Sequence, residues 1–401
     1  MSRSRTVRTL LLLLAGALVS GAAARPAAAQ SILARTGLGF ASEPLDARAR
    51  ALGGVGLGLP EANLSLVNPA GIVALPAPAL HVTYQADRFS NDIGGTHDAG
   101  TTARFPLMHV ALPLGERWAV SLGYGSLLDR HWAVETNDSL TLGGQRLPVR
   151  DRFVSRGGVA KFRAGAAHRF GEKFGVGVAL DVHTGSVRDS LSREFGAPCG
   201  TSGSGVVTPL CESTVRDFRG VGVSAGARWT PSEAVALAAS VSSGGTLTAK
   251  TRTDSTAVTE ERVDLPLTLS AGGSARVASN TLLALSGQWA GWSSATGTLV
   301  GAAGARDVWS VAGGLEWDAI ALGERGVPLR LGARYATLPF RWDAQSDWGA
   351  ERALTGGFGI YLAGGAARTD IGIERGTRGG SDFGVDESFW RLGVSLTVLG
   401  R

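Results

Sequence analysis

In the stretch Phe174-Gly175-Val176-Gly177-Val178-Ala179-Leu180-Asp181-Val182-His183, every second residue is large and apolar, and the residues between are small or ionisable. Successive side chains of a strand point to opposite faces, so this segment has one uniformly greasy face and one carrying glycine, Asp181 and His183. A soluble sandwich could bury such a face, and one strand alone distinguishes nothing. The same pattern recurs at 79–88, 103–114, 117–126, 158–170, 216–229, 233–246, 263–277, 280–292, 307–318, 327–339, 351–363, 367–377 and 388–399. With the first stretch, extended to 174–187, that makes about fourteen strands, an even number, as a single-chain bacterial barrel requires. The pattern predicts an all-β chain: a transmembrane antiparallel β-barrel with lipid outside and a polar lumen inside.

The amino terminus supports export. Arg3, Arg5 and Arg8 precede an apolar run from Leu10 to Val19, and small residues lead through Ala27-Ala28-Ala29 to Gln30. This is the layout of a cleavable secretory signal over residues 1–29, and the run is shorter than the roughly 20 residues of a spanning helix. Cleavage removes Arg3, Arg5, Arg8 and Arg25, lowering the formal charge from +5 to +1, so nucleic acid is not an expected partner. The apolar fraction of 44% is ordinary for a soluble chain, as half-polar barrel strands make it.

Connections alternate between tight turns (114–117, 171–173, 230–232, 278–279 and 364–366) and long joins (127–157, 188–215, 247–262 and 293–306). That sidedness puts the short turns and both termini in the periplasm and predicts long exterior loops. Parity sends Lys161, Arg163, Asp181, His183, Glu316, Asp318, Arg330, Arg334, Arg368, Asp370, Glu374 and Arg391 into the lumen, as braces for the wall and for a plug. Trp118, Trp229, Trp289, Trp309, Trp317 and Trp390 fall near strand ends on the lipid parity, where an interfacial girdle belongs. Cys199 and Cys211, the only cysteines, flank a glycine- and serine-rich stretch and are expected to form a disulfide in an exported chain.

Residues 30–77 do not alternate. They contain Gly53 to Gly58, then Glu61-Ala62-Asn63, then Asn68-Pro69-Ala70. In these three features, placed between a signal and the first strand, the chain resembles the FadL family of outer-membrane transporters for fatty acids and aromatic hydrocarbons, with relatives such as the PorV-type barrels. The resemblance implies that residues 30–77 are a hatch inside a barrel of residues 78–401, with Asn68, Pro69 and Ala70 as its turn. It implies a channel for small hydrophobic molecules in the bacterial outer membrane. The partners that follow are outer-membrane lipid, a small hydrophobic solute and the barrel-assembly machinery during biogenesis, with the barrel a monomer and no cofactor. The alternative is a PorV-like barrel that transports nothing and serves as a docking or secretion-accessory protein. One departure from the pattern is the carboxyl terminus, Leu399-Gly400-Arg401, which lacks a terminal aromatic.

No enzyme constellation emerges. Gly222-Val223-Ser224-Ala225-Gly226 matches G-x-S-x-G but lies inside a strand, where a nucleophile elbow needs a strand-to-helix turn. Gly54-Val55-Gly56-Leu57-Gly58 lacks the Lys-Ser/Thr of a phosphate loop, and the six histidines show no metal-ligand spacing.

Overall fold

The computed structural model describes residues 31–400 apart from 197, 200–206, 254–257, 296, 298, 302, 303, 323 and 324; the signal expected over residues 1–29, and Gln30, lie outside the described residues. After a short strand β1 (Phe40–Ala41) and one helical turn α1 (Ala47–Ala51), an antiparallel wall runs from β2 (Ala79–Ile93) to β18 (Val385–Leu399). Its first half comprises β3 (Thr96–Leu114), β4 (Trp118–Asp129), β5 (Trp132–Leu142), β6 (Gln145–Phe170), β7 (Phe174–Glu194), β8 (Leu210–Ser232), β9 (Val235–Ser243) and β10 (Thr246–Thr253). The second comprises β11 (Val258–Asp264), β12 (Leu267–Ala278), β13 (Thr281–Ala290), β14 (Val308–Leu322), β15 (Arg325–Thr337), β16 (Ala350–Leu362) and β17 (Ala367–Gly380). β18 pairs with β2 from Leu399↔Ala79 to Asp386↔Asp92, which closes the barrel and removes its edges.

The wall has fourteen strands, because three of them are interrupted. β4 and β5 pair in turn along β6, with a break at Arg130 and His131. β9 and β10 pair in turn along β8, with a break at Gly244 and Gly245, where Gly245 takes φ +65°. β11 and β12 face them across a break at Leu265 and Pro266.

Phe174, Val178, Leu180 and Val182 are exposed on the outer face of β7, and Thr184, Ser186 and Arg188 continue the same face. The apolar part is about 27 Å long, or about 20 Å of height at a tilt near 40°, close to the ~25 Å lipid band of outer-membrane barrels. Trp118, Trp229 and Trp317 are exposed at the short-turn end; Trp309 and Trp390 are exposed toward the other end, where Trp289 lies 6.4 Å from Trp309. Among the described residues no helix is long and apolar enough to cross a membrane.

Of the expected long loops, 127–157 and 247–262 are mostly strand, and strands reach into 188–215 from both sides: β6, β7 and β8 run for 26, 21 and 23 residues. Beyond the lipid band the alternation inverts. Val159, Val187, Phe218, Leu247 and Val263 face inward and pack with Leu38, Leu128, Trp292 and Phe340 in one buried cluster, while the outward residues are polar. A reading tuned to apolar-outward strands stops where the parity flips. Cys199 and Cys211 are disulfide-bonded between the far ends of β7 and β8.

Candidate functional site

The lumen is occupied. Residues of the 31–77 segment are mostly buried, and wall side chains meet its irregular backbone, whose groups would otherwise go unsatisfied. Ser395 Oγ accepts from the Ala47 N–H at 2.7 Å, Thr355 Oγ1 accepts from Gly53 N–H at 2.9 Å and donates to the Ala51 carbonyl at 2.9 Å. Ser274 Oγ donates to the Gly58 carbonyl at 2.6 Å, and a His109 ring nitrogen lies 2.7 Å from the Leu64 carbonyl oxygen.

Asn68, Pro69 and Ala70 open a 3-10 turn over Pro69–Ala74. Asn68 Oδ1 accepts from Ala70 N–H at 2.9 Å, a local cap, while its Nδ2 donates to the Ala227 carbonyl of β8 at 3.0 Å. Proline at the first position has the φ such a turn needs and no N–H to satisfy. The close seating needs glycine on the wall: a Cβ at Gly177 would stand 2.5 Å from the Pro69 carbonyl carbon, and one at Gly226 would collide with Asn68 Oδ1.

The helical turn carries two buried arginines that the strand pattern did not single out. Arg48 donates to Glu316 from Nε at 2.8 Å and from Nη2 at 2.7 Å, and it pairs with Glu61 of its own segment. Glu316 also takes Arg330 Nε at 2.6 Å; Arg330 reaches Asp370 at 2.9 Å, and Asp370 is held by Arg368 at 2.7 Å. Arg50 lies 3.8 Å from Glu374 and donates to the Glu43 carbonyl at 2.8 Å. Burial, with Arg391 beside it, holds its guanidinium below the usual arginine range. Glu374 ties Arg334 at 2.7 Å and Arg391 at 3.3 Å, and Arg391 continues to Asp87 at 2.7 Å. Arg334 also pairs with Glu351, which bonds Arg378, which bonds Glu387 at 2.7 Å.

Of the lumen charges expected from parity, Glu316, Arg330, Arg334, Arg368, Asp370, Glu374 and Arg391 thus meet in this system. Arg163 and Asp181 form a separate bidentate pair at 2.7 Å, with Ser224 bonded to both. Ser224 is therefore a wall hydroxyl in a strand, not a nucleophile at a turn. Asp318 stands apart, exposed at a register shift near the short turn. Asp87, Glu351, Arg378 and Glu387 were missed although they share the inward parity of β2, β16, β17 and β18. Among the described residues no group of three or more His, Cys, Asp or Glu is gathered as a metal site.

Between the segment and the wall lies a cavity of about 250 Å³. Leu33, Phe40, Leu127, Leu265, Trp292 and Phe340 line its apolar part, and Trp292 meets Phe340 edge-on at 5.4 Å. Lys161, Arg163, His183, Arg334 and Arg391 line its polar part. One of these has unspent capacity. Lys161 is buried with no carboxylate in ion-pair range among the described residues, its Nζ 3.5 Å from the Leu66 carbonyl oxygen. His183 is 3% exposed and lies against the backbone of Gly244, with no side-chain hydrogen-bond partner among the described residues. The register sets Lys161 and His183 directly opposite each other on β6 and β7.

The fold is that of solved outer-membrane channels. A Pseudomonas aeruginosa FadL homologue superposes with a TM-score of 0.63 at 12% identity, over 90% of this chain and 99% of that one. The CymD monoaromatic hydrocarbon channel gives 0.58 at 18% identity, covering 90% and 98%. The Pseudomonas putida toluene transporter TodX gives 0.57 at 16%, covering 89% and 98%. Comparison with curated proteins found no match. At the level of sequence the BamG family profile matches residues 6–293, well over half of the chain, and the chain belongs to the BamG family.

Proposed function

We propose that this protein resides in the bacterial outer membrane and admits small hydrophobic molecules, with residues 31–77 acting as a hatch in its lumen. The observation that carries this reading is the 250 Å³ cavity lying directly against that segment. An apolar cavity of about 150 Å³ holds benzene, so the apolar part takes a solute of one or two rings or a short alkyl chain. Lys161, with no carboxylate in range among the described residues, suits a solute whose other end is anionic. The short-turn end then faces the periplasm and the tall sheet of β5 to β11 faces outward. Titrating purified protein with a monoaromatic hydrocarbon and with a fatty acid should quench tryptophan emission in wild type and much less in Trp292→Phe. Uptake of the same solutes by cells lacking their own transporter should follow expression of the protein. Folded protein that neither binds nor admits either solute would discard the reading.

A second reading, an accessory barrel that docks another protein and moves no solute, draws support from the sheet that β6, β7 and β8 raise beyond the lipid band. Absence of uptake together with co-purification of a stoichiometric partner would favour it.

A further inference from the structure

Three arginines cluster on the outer face of the barrel where the lipid band ends. On β18 the outward residues Val398, Leu396, Val394, Leu392 and Trp390 give way to Ser388 and Asp386. Trp390 is 51% exposed, and the register places it directly between Arg88 on β2 and Arg375 on β17. Arg352 on β16 faces Thr377, which makes it the diagonal neighbour of Arg375 on the same face. All three arginines are exposed. Arg375 stacks on Trp390 with Cζ 5.4 Å from the ring centroid, and Arg352 stands 6.0 Å from Tyr335, itself exposed.

Every arginine in the lumen system described above has a carboxylate; among the described residues none of these three forms an ion pair. Arg375 uses Nη1 on the carbonyls of Gly376 and Phe389, both at 3.0 Å. The outward acids on β2 and β18, Asp92 and Asp386, stand four residues farther along their strands, about 13 Å away, too distant to neutralise the cluster. Three adjacent positive charges with no counter-charge call for an anion from outside the chain. Below them lie exposed Leu392, Leu354 and Ile373, which face acyl chains. A group that is anionic at the level of the arginines and apolar beneath is a phosphorylated lipid, and guanidinium groups match phosphate oxygens in pairs.

We propose that Arg88, Arg352 and Arg375 form a binding site for the phosphate of a phosphorylated lipid in the leaflet at the long-loop end. The inference rests on the membrane placement under Proposed function and not on solute passage. The test uses the full mature chain in detergent, with native mass spectrometry to count bound lipid during titration with bis-phosphorylated lipid A, its dephosphorylated form and inorganic phosphate. Wild type should retain the phosphorylated lipid at least tenfold better than the dephosphorylated one, and Arg88→Gln/Arg352→Gln/Arg375→Gln should lose that preference while remaining heat-modifiable. Arg156→Gln/Arg188→Gln, elsewhere on the outer face, should keep it. No preference in wild type, equal retention by the triple variant, or displacement of the lipid by inorganic phosphate at equal concentration would each overturn the proposal. Solute uptake by the triple variant should match wild type, so failure of this site and failure of the transport reading are separately visible.

Discussion

Arg48→Met probes how the N-terminal segment is held. Arg48 is buried, spans from α1 to the wall and bonds both Glu61 and Glu316. Breaking a buried ion pair from one side costs about 3–5 kcal/mol, mostly because a charge is left uncompensated. Here the penalty is smaller, since Glu316 keeps Arg330 at 2.6 Å and the Glu61 side chain, 49% exposed, regains water. About 2–3 kcal/mol is expected, confined to the segment because the wall keeps its ladders. Amide exchange reads this locally. The N–H groups of Arg50, Leu52 and Gly54, which donate to the carbonyls of Asp46, Arg48 and Ala49, should exchange about 30- to 150-fold faster at that loss of local stability. Amides of β6 and β7 should be unchanged. In Arg48→Met/Glu316→Leu the buried carboxylate facing the substituted arginine is gone, only the half-exposed Glu61 lacks its partner, and Arg330 still holds Asp370 at 2.9 Å, so part of the protection should return. Unchanged exchange in folded Arg48→Met, or a double variant worse than the sum of its parts, would refute the claim that this bridge seats the segment.

Other substitutions test other levels of the structure. Val178→Arg, at a mid-band position 61% exposed to lipid, should cost about 2–4 kcal/mol in barrel stability, measured by heat-modifiability and denaturant unfolding in micelles. Ser186→Arg, on the same face of β7 but above the apolar band and opposite Asp217, should be tolerated; equal damage from the two would mean the band is misplaced. Gly226→Ala should push Asn68 off its bond to the Ala227 carbonyl, loosening the Pro69–Ala74 turn by about 1–3 kcal/mol, with faster exchange there and an intact barrel. Alkylation without reductant should label neither Cys199 nor Cys211 by mass spectrometry, and reduction should leave the barrel folded, since the bond closes a twelve-residue separation at the tip of β7 and β8.

How far the sequence could be read follows from the physics of each region. Within the lipid band the solvent on one side is hydrocarbon, so Phe174 to Val182 and Trp390 to Val398 announce their faces without any knowledge of neighbours. Above the band both sides of a strand meet water or protein. There Val187 and Phe218 turn inward onto a core supplied by Trp292 and Phe340, from two joins more than seventy residues away in sequence. No local pattern shows that core, so strands were read as loops. The breaks at Arg130, Gly244 and Leu265 were invisible for the same reason: each is fitted to a neighbouring strand or to the segment in the lumen, as Phe40 and Ala41 pair with Asp129 and Leu128.

The same limit governs the lumen. Parity told which charges point inward, but not that the space they enter is filled, and this changes what inward means. Ala179 is 7% exposed and packed beside Gly165, so the inner face of β7 is a core position and an arginine there would overpack it. For the same reason the inward arginines cannot rest on water: Arg48, Arg330 and Arg368 are matched against Glu61, Glu316 and Asp370, and Arg334, Arg378 and Arg391 against Glu351, Glu374, Glu387 and Asp87, while Arg228 donates to the carbonyls of Glu61, at 2.8 Å, and Pro60. Lys161, set opposite His183 beside the cavity, has no carboxylate in ion-pair range among the described residues, and on the proposed transport reading it is there, rather than at the paired charges, that selection of a solute by charge would act.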